Sequence, residues 1–272
     1  MKKPLLLLLL GTLINIPVFA EEESAVFNWQ FSIGLGISHS RNLIPVLDSQ
    51  QNGIPQLQLT LDFEYKNWFA ETPSLRSGQV YGDSILGYRI SSSNRHNLAA
   101  IIAGYHEGFG PNRAISDGMP ANRQEGLRNR KSDLMPGLRY QYHAADNQLF
   151  SLQFNKDIDA HHGEILKVFY GFRFEQNNWD LYFNSELTWY SAKLINYYYG
   201  VSDTETRPGR PAYYTGSGWR WHTGLVGVYP LSTNWVAELG TGINWYTREF
   251  TDSPLTRNNP EVLSFVLFRY VF

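Results

Sequence analysis

Apolar and polar residues alternate with a period of two along most of this chain. Trp29, Phe31, Ile33, Leu35 and Ile37 alternate with Gln30, Ser32, Gly34, Gly36 and Ser38. Leu57, Leu59, Leu61, Phe63 and Tyr65 alternate with Gln58, Thr60, Asp62 and Glu64. The pattern returns over 179–189 and again over 235–246. Successive residues of a strand point to opposite faces, so each segment reads as a strand with one apolar and one small or polar face. In two of them Trp stands at both ends of the apolar face (Trp179 and Trp189, Trp235 and Trp245) with aliphatic residues between. A bilayer favours that order, because indole rings settle at headgroup level and aliphatic chains in hydrocarbon.

The connections carry a second pattern. Tight polar turns fall at Lys66-Asn67, Ser92-Ser93-Asn94, Ala144-Ala145-Asp146-Asn147, Gln176-Asn177-Asn178 and Pro230-Leu231-Ser232. Longer stretches rich in Gly, Pro and charge lie between them, at 39–55, 73–79, 106–131, 158–163, 190–216 and 248–260. Short and long connections alternate strictly, as in bacterial barrels with short periplasmic turns and longer external loops. Five turns and six loops join twelve strands, placed near 28–38, 56–65, 67–72, 80–91, 95–105, 132–143, 147–157, 164–175, 178–189, 217–229, 233–247 and 261–272. The expected fold is all-β: a transmembrane up-and-down antiparallel β-barrel of about 12 strands, with 261–272 pairing to 28–38 and no helix after residue 20. The third strand is short, which leaves ten or fourteen strands open.

Residues 1–20 are expected to be a cleaved signal peptide and 21–272 the outer-membrane β-barrel. Lys2 and Lys3 precede the apolar run Leu5–Leu10, and Val18-Phe19-Ala20 offers a cleavage site ahead of Glu21. The run is shorter than a spanning helix needs, and Asn15 and Pro17 interrupt it. The chain has no cysteine, which excludes disulfides, thiol nucleophiles and cysteine metal sites. A net charge of −2 gives no basic footprint for nucleic acid. Aromatics make up 15% of the residues, including 17 Tyr and 8 Trp, yet mean hydropathy is only −0.34. Hydrophobicity hidden in alternation explains both values. Phe268, Tyr270 and Phe272 alternate on the last strand and resemble an assembly signal of outer-membrane barrels.

Several segments resemble the MipA/OmpV family. Trp189 to Ser202, with Tyr197-Tyr198-Tyr199-Gly200-Val201 at its centre, is similar to that family's tryptophan-to-tyrosine-glycine-valine segment. Tyr213-Tyr214, the Gly216-Ser217-Gly218 re-entry, Asp252-Ser253-Pro254-Leu255, Asp157 to Gly163 and Ile44-Pro45 match further family patterns in order. The loop 106–131 departs from them. The resemblance implies an outer-membrane barrel that is not an enzyme. It implies a scaffold or interaction protein for murein-processing enzymes, a lytic murein transglycosylase and a murein synthase. Outer-membrane lipid and lipopolysaccharide would be its surroundings. Two alternatives stand beside it: a narrow osmoregulated pore for small solutes, and an outer-membrane hydrolase.

By parity, the inward faces collect Asp62, Glu64, Asp83, Asp133, Glu175, Asp180, Glu186 and Glu238 with Arg89, Arg139, Lys167, Arg173, Arg220 and Arg269. Side chains plug barrels of about eight strands, while sixteen or more leave a channel, so twelve is intermediate. Opposed charges in a narrow, low-dielectric bore should pair, and together with Phe169, Tyr182 and Tyr246 they should constrict it. The alternative is a charge-lined solute path. Chemistry has three further candidates. Gly82-Asp83-Ser84 suggests a serine hydrolase, but no strand-turn-helix elbow surrounds it. Asp157, Asp159, His161, His162 and Glu164 suit a divalent transition metal or a solvated loop tip. Arg113, Arg123, Arg128, Arg130 and Lys131 suit lipopolysaccharide phosphates or a solvated loop. The residues assign no catalytic, cofactor-binding or metal site.

Overall fold

The computed structural model of the chain describes residues 27–41, 43, 56–72, 85–110, 125–256 and 260–272. The twelve strands are β1 (Asn28–Arg41), β2 (Gln56–Tyr65), β3 (Trp68–Glu71), β4 (Ile85–Ser92), β5 (His96–Ala103), β6 (Met135–Ala145), β7 (Gln148–Lys156), β8 (Glu164–Gln176), β9 (Trp179–Tyr190), β10 (Gly218–Pro230), β11 (Trp235–Tyr246) and β12 (Glu261–Val271). Each pairs antiparallel with its sequence neighbour, and β1 pairs with β12, with Leu35 opposite Phe268. The sheet therefore closes as a barrel with no edge exposed to lipid, where an unpaired backbone group costs several kcal/mol. This settles the strand count at twelve. β3 is only four residues long, yet it pairs on both sides, Phe63 with Ala70 and Trp68 with Tyr88.

The turns follow local backbone chemistry. Asn177 and Asn178 both adopt positive φ, 49° and 65°, as a two-residue hairpin of primed type requires. Register shifts at Arg89/Ser91 and His143/Ala145 absorb one residue each beside other turns.

Parity separates the faces as the alternation predicts. Leu239, Leu187, Phe183, Leu59 and Phe268 are exposed on the outside. Arg139, Lys167, Glu186 and His222 are buried inside. Trp235 and Trp245 bound the outer face of β11, ten residues apart. At about 3.4 Å per residue and a tilt near 40°, that interval rises roughly 26 Å, the height of a bilayer's apolar band.

Two expectations need correction. Short helices do occur after residue 20: α1 (Ala192–Tyr198) and α2 (Arg248–Thr251), both in long loops. α1 buries Leu194, Ile195 and Tyr198 on one side, a spacing that one helical turn satisfies and a strand does not. Asp133 is not on a strand, because β6 begins at Met135. Asp133 ends the preceding loop and accepts the backbone N–H groups of Tyr105 and His106 at 2.6 and 3.2 Å.

Candidate functional site

The interior of the barrel holds a belt of paired charges, a plug at the end carrying the long loops, and a cavity. In the belt, Glu186 is wholly buried between Lys167 and Arg220. Glu238 pairs with Arg269, Glu64 with Arg89, and Arg173 with both Asp180 and Glu175. These are the inward charges that parity selects, and they pair as expected: Glu186, Glu238 and Asp180 with adjacent strands, Glu64 with Arg89 across β3, and Glu175 with Arg173 on the same strand. Arg139 takes a partner that the pattern missed: Glu71 receives its two terminal nitrogens at 2.7 and 3.0 Å. Phe69 lies fully buried on the same short strand, its ring flanked by the guanidiniums of Arg89 and Arg139 at 5.0 and 5.1 Å. Gly87 makes room for that ring, since a Cβ there would meet it at 2.1 Å.

The belt continues through neutral groups. His222 reaches Asn244 through Nδ1 and Asn184 through Nε2, both at 2.9 Å. Asn244 and Tyr246 each donate to Oε2 of Glu261 at 2.6 Å. Glu261 stands eight residues before Arg269 on β12, so parity alone would have placed it inside.

The plug is aromatic. Phe109, Tyr190, Leu194, Ile195, Tyr198 and Phe250 form one buried cluster above β6 to β11. His106 stacks on Tyr198 at 4.6 Å and reaches Asp133 Oδ2 at 2.9 Å. Arg130 locks the cluster from the loop before β6. Its Nε donates to Tyr197 O at 2.6 Å, its Nη2 donates to Gly200 O at 2.9 Å, and its Nη1 lies 3.2 Å from Glu205 Oε1. Ser253 Oγ donates to Tyr199 O at 2.5 Å. Ser191 Oγ accepts the backbone N–H of Glu164 at 2.8 Å. Three segments that resemble the family's motifs thus meet in one plug: Asp157 to Gly163, Tyr197 to Val201, and Asp252 to Leu255.

Electrostatics hold the plug together. Burial opposes ionisation of Asp133, yet hydrogen bonds from His106 and from the Tyr105 backbone, with His161 close by, keep its carboxyl well below the usual carboxylate range. Burial likewise opposes Asp157, which the backbone N–H groups of His162, Leu134 and His161 bring down. Glu205 is lowered against its burial by the N–H groups of Arg128 and Ser202 and by Arg130.

The cavity occupies about 730 Å³ beside β1–β3 and β10–β12. Asp62, Glu64, Glu71, Glu238 and Arg269 line it together with Tyr182 and His222. Phe169 lies elsewhere, buried inside β8.

The chemical candidates fare differently. Gly82-Asp83-Ser84 lies outside the described residues, and so does the inward placing of Asp83. The acidic and histidine loop does not gather into a metal site. Asp157 Oδ2 accepts the N–H groups of Ala160, His161 and His162 at 2.6–2.8 Å. Asp159 pairs with Lys131, and Glu164 with Lys156. Among the described residues no group of three or more such side chains could hold a metal ion. In the basic loop, Arg113 and Arg123 are outside the described residues. Arg130 is not available to phosphates, because it is buried in the plug. Arg128 stays half-exposed, with its guanidinium over the Tyr197 ring at 5.4 Å. Glu205 ends a single 3-10 turn, Asp203–Glu205, and carries no periodic signal; its one local cue is the capping-box spacing from Ser202.

Comparison with known proteins gives a consistent relationship. A family model described as MltA-interacting protein MipA matches residues 28–272. The putative outer membrane protein YiaT of Escherichia coli O157:H7 is 24% identical over 211 residues, covering 74% of this chain and 82% of that protein. Outer membrane protein Omp26La of Vibrio anguillarum is 28% identical over 142 residues, covering 51% of this chain and 54% of that protein. Among solved structures, the NanC porin matches with a TM-score of 0.47 at 8% identity, over 88% of this chain and 98% of NanC.

Proposed function

The chain belongs to the MipA family of outer-membrane β-barrels, and from that premise we propose that it is a plugged, non-enzymatic scaffold for murein-processing enzymes. The carrying observation is the plug. Loops from three regions of the chain converge on Tyr198 and are tied by Arg130 and Ser253. Below it, ion pairs line the bore: Glu186 lies between Lys167 and Arg220 of the two adjoining strands, and Glu71 on β3 reaches Arg139 on β6. A barrel filled in this way serves as an anchor rather than a channel. The family's name, MltA-interacting protein, supports the partner class, a lytic murein transglycosylase. A murein synthase would share the scaffold. Such partners approach from the periplasm, where the turns are short and the contact area is correspondingly small. The hydrolase alternative rests on Ser84, which lies outside the described residues.

A second reading has its own observation. The cavity of about 730 Å³ has the size of a small-solute compartment, which favours a narrow pore if the plug opens.

The test reconstitutes the purified barrel in nanodiscs with a purified lytic murein transglycosylase and a purified bifunctional murein synthase. The scaffold reading predicts one co-eluting complex containing both enzymes. Failure of both enzymes to bind would overturn it.

A further inference from the structure

The cavity has two chemically different walls. On β10–β12, Val226, Val228, Phe265 and Leu267 form an apolar wall. Beyond the β1–β12 seam, β1 and β2 present Gln30, Ser32, Gln58, Thr60 and Asp62, and β3 presents Glu71. The volume of about 730 Å³ lies within the range of small-ligand sites, about 300–1,000 Å³.

The charges around the cavity do not balance. Glu64 is met by Arg89, Glu71 by Arg139 and Glu238 by Arg269. Asp62 is met by none of them. Its Oδ1 accepts the backbone N–H of Thr72 at 2.6 Å, and no cation stands beside it among the described residues. Four carboxylates therefore face three guanidiniums, and the surplus negative charge sits at Asp62. An interior of low dielectric strengthens the attraction of that charge for a cation.

Two donors are also unmet. Arg269 Nε, on the cavity wall, has no hydrogen-bond partner. Asn184 is wholly buried behind Gly224 of the same wall. Its Oδ1 lies 3.1 Å from the position a Cβ on Gly224 would take, and its Nδ2 has no partner. Buried donors left without acceptors are costly, and of these two residues Arg269 is the one whose side chain lines the cavity.

We propose that this cavity is a binding site for an amphipathic amine. Its ammonium group lies at Asp62, its apolar body lies against Val226, Phe265 and Leu267, and an acceptor oxygen, where it carries one, lies toward Arg269. The site is independent of the scaffold reading, because neither the walls nor Asp62 involve a protein partner.

The experiment uses the full barrel in zwitterionic nanodiscs and follows naphthyl fluorescence, with empty nanodiscs subtracted. The probes are 2-(1-naphthyl)ethylamine, the neutral 2-(1-naphthyl)ethanol and the anionic 1-naphthylacetate. The amine should bind at least tenfold more tightly than the alcohol, and the anion more weakly than either. Ethylammonium, which lacks the apolar body, should compete at least tenfold less well than the naphthyl amine. Asp62→Asn keeps an acceptor for Thr72 and should reduce the amine to the affinity of the alcohol. Thr60→Lys places a cation on the same wall and should reverse the order of amine and anion, so a folding failure of the first variant still leaves a test. An amine that binds no better than the alcohol would overturn the proposal. So would an amine preference that survives both substitutions, or equal competition by ethylammonium.

Discussion

Arg130 and Glu205 come from different loops and meet with Nη1 and Oε1 3.2 Å apart, both side chains withdrawn from solvent. Around them Arg130 donates to Tyr197 O and Gly200 O, and Glu205 accepts the N–H of Arg128 at 2.8 Å. The pair therefore ties the loop before β6 to the loop that carries α1. Attraction alone is a weak argument for stability in such a pair, because two charges lose their hydration. Their hydrogen bonds to backbone groups on both sides make this one a clamp.

Removing one partner leaves the other charge buried and uncompensated, at a cost of about 3–5 kcal/mol. Arg130→Ala should therefore release the plug without unfolding the barrel. Tryptic cleavage of intact cells after Lys193, Arg207 or Arg210 should accelerate at least tenfold, while the heat-modifiable shift of the folded barrel on gels persists. Unchanged cleavage would show that the aromatic cluster closes the mouth unaided.

The plug should also respond to acid. Asp133, Asp157 and Glu205 are all held below their ordinary values. A carboxyl depressed in the folded state contributes stability that is full above its unfolded value, near 4, and is lost as pH falls toward the folded value. Hydrogen exchange at the amides of Tyr105 and His106 should stay flat from pH 8 to about pH 5, after correction for intrinsic rates. Protection should drop below about pH 4, and Asp133→Asn should show less of that drop. An onset above pH 6 would contradict this assignment.

The barrel was legible in the sequence because its physics is local and periodic. Trp179 to Trp189 and Trp235 to Trp245 show both the period and the height of the apolar band, and Asn177-Asn178 marks its own turn. The inward charges followed from parity alone, as Glu186 with Lys167 and Glu238 with Arg269 illustrate. Glu71 was missed because β3 is four residues long, too short for alternation to register. The plug left no sequence signal beyond the length of the loops 106–131 and 190–216. Contacts such as Arg130 to Gly200 and Ser253 to Tyr199 join residues far apart in sequence, and no period encodes them. The acidic-histidine loop is opaque to sequence in the same way. Asp157 spends its oxygens on backbone N–H groups, which residue types alone do not reveal.

The outward face of β11 gives a direct check on parity. Leu239 is 47% exposed, between Trp235 and Trp245. Leu239→Arg puts a charge near the midplane and should cost about 2–4 kcal/mol in refolding into liposomes. A neutral effect would mean that this face does not meet hydrocarbon.

Phe272 closes the barrel seam. Its backbone N–H donates to Phe31 O at 3.1 Å, and its ring lies 5.2 Å from Phe31 and 4.9 Å from Tyr270. Aromatic pairs contribute about 0.5–1.5 kcal/mol each, so Phe272→Ala should lose about 1–3 kcal/mol of folded stability. Its amount in the outer membrane should fall much further, since assembly depends on pairing β12 with β1. Wild-type levels of the variant in the membrane would rule out the assembly role.

Conductance tests the closed barrel most directly. The purified wild-type protein and Arg130→Ala are inserted singly into planar bilayers under identical salt and voltage. The wild type should be silent, with neither steady openings nor swelling of liposomes in disaccharide. Arg130→Ala should show intermittent small steps as the plug loosens. Large, steady conductance from the wild type, with rapid disaccharide uptake, would contradict the plugged scaffold and establish a pore.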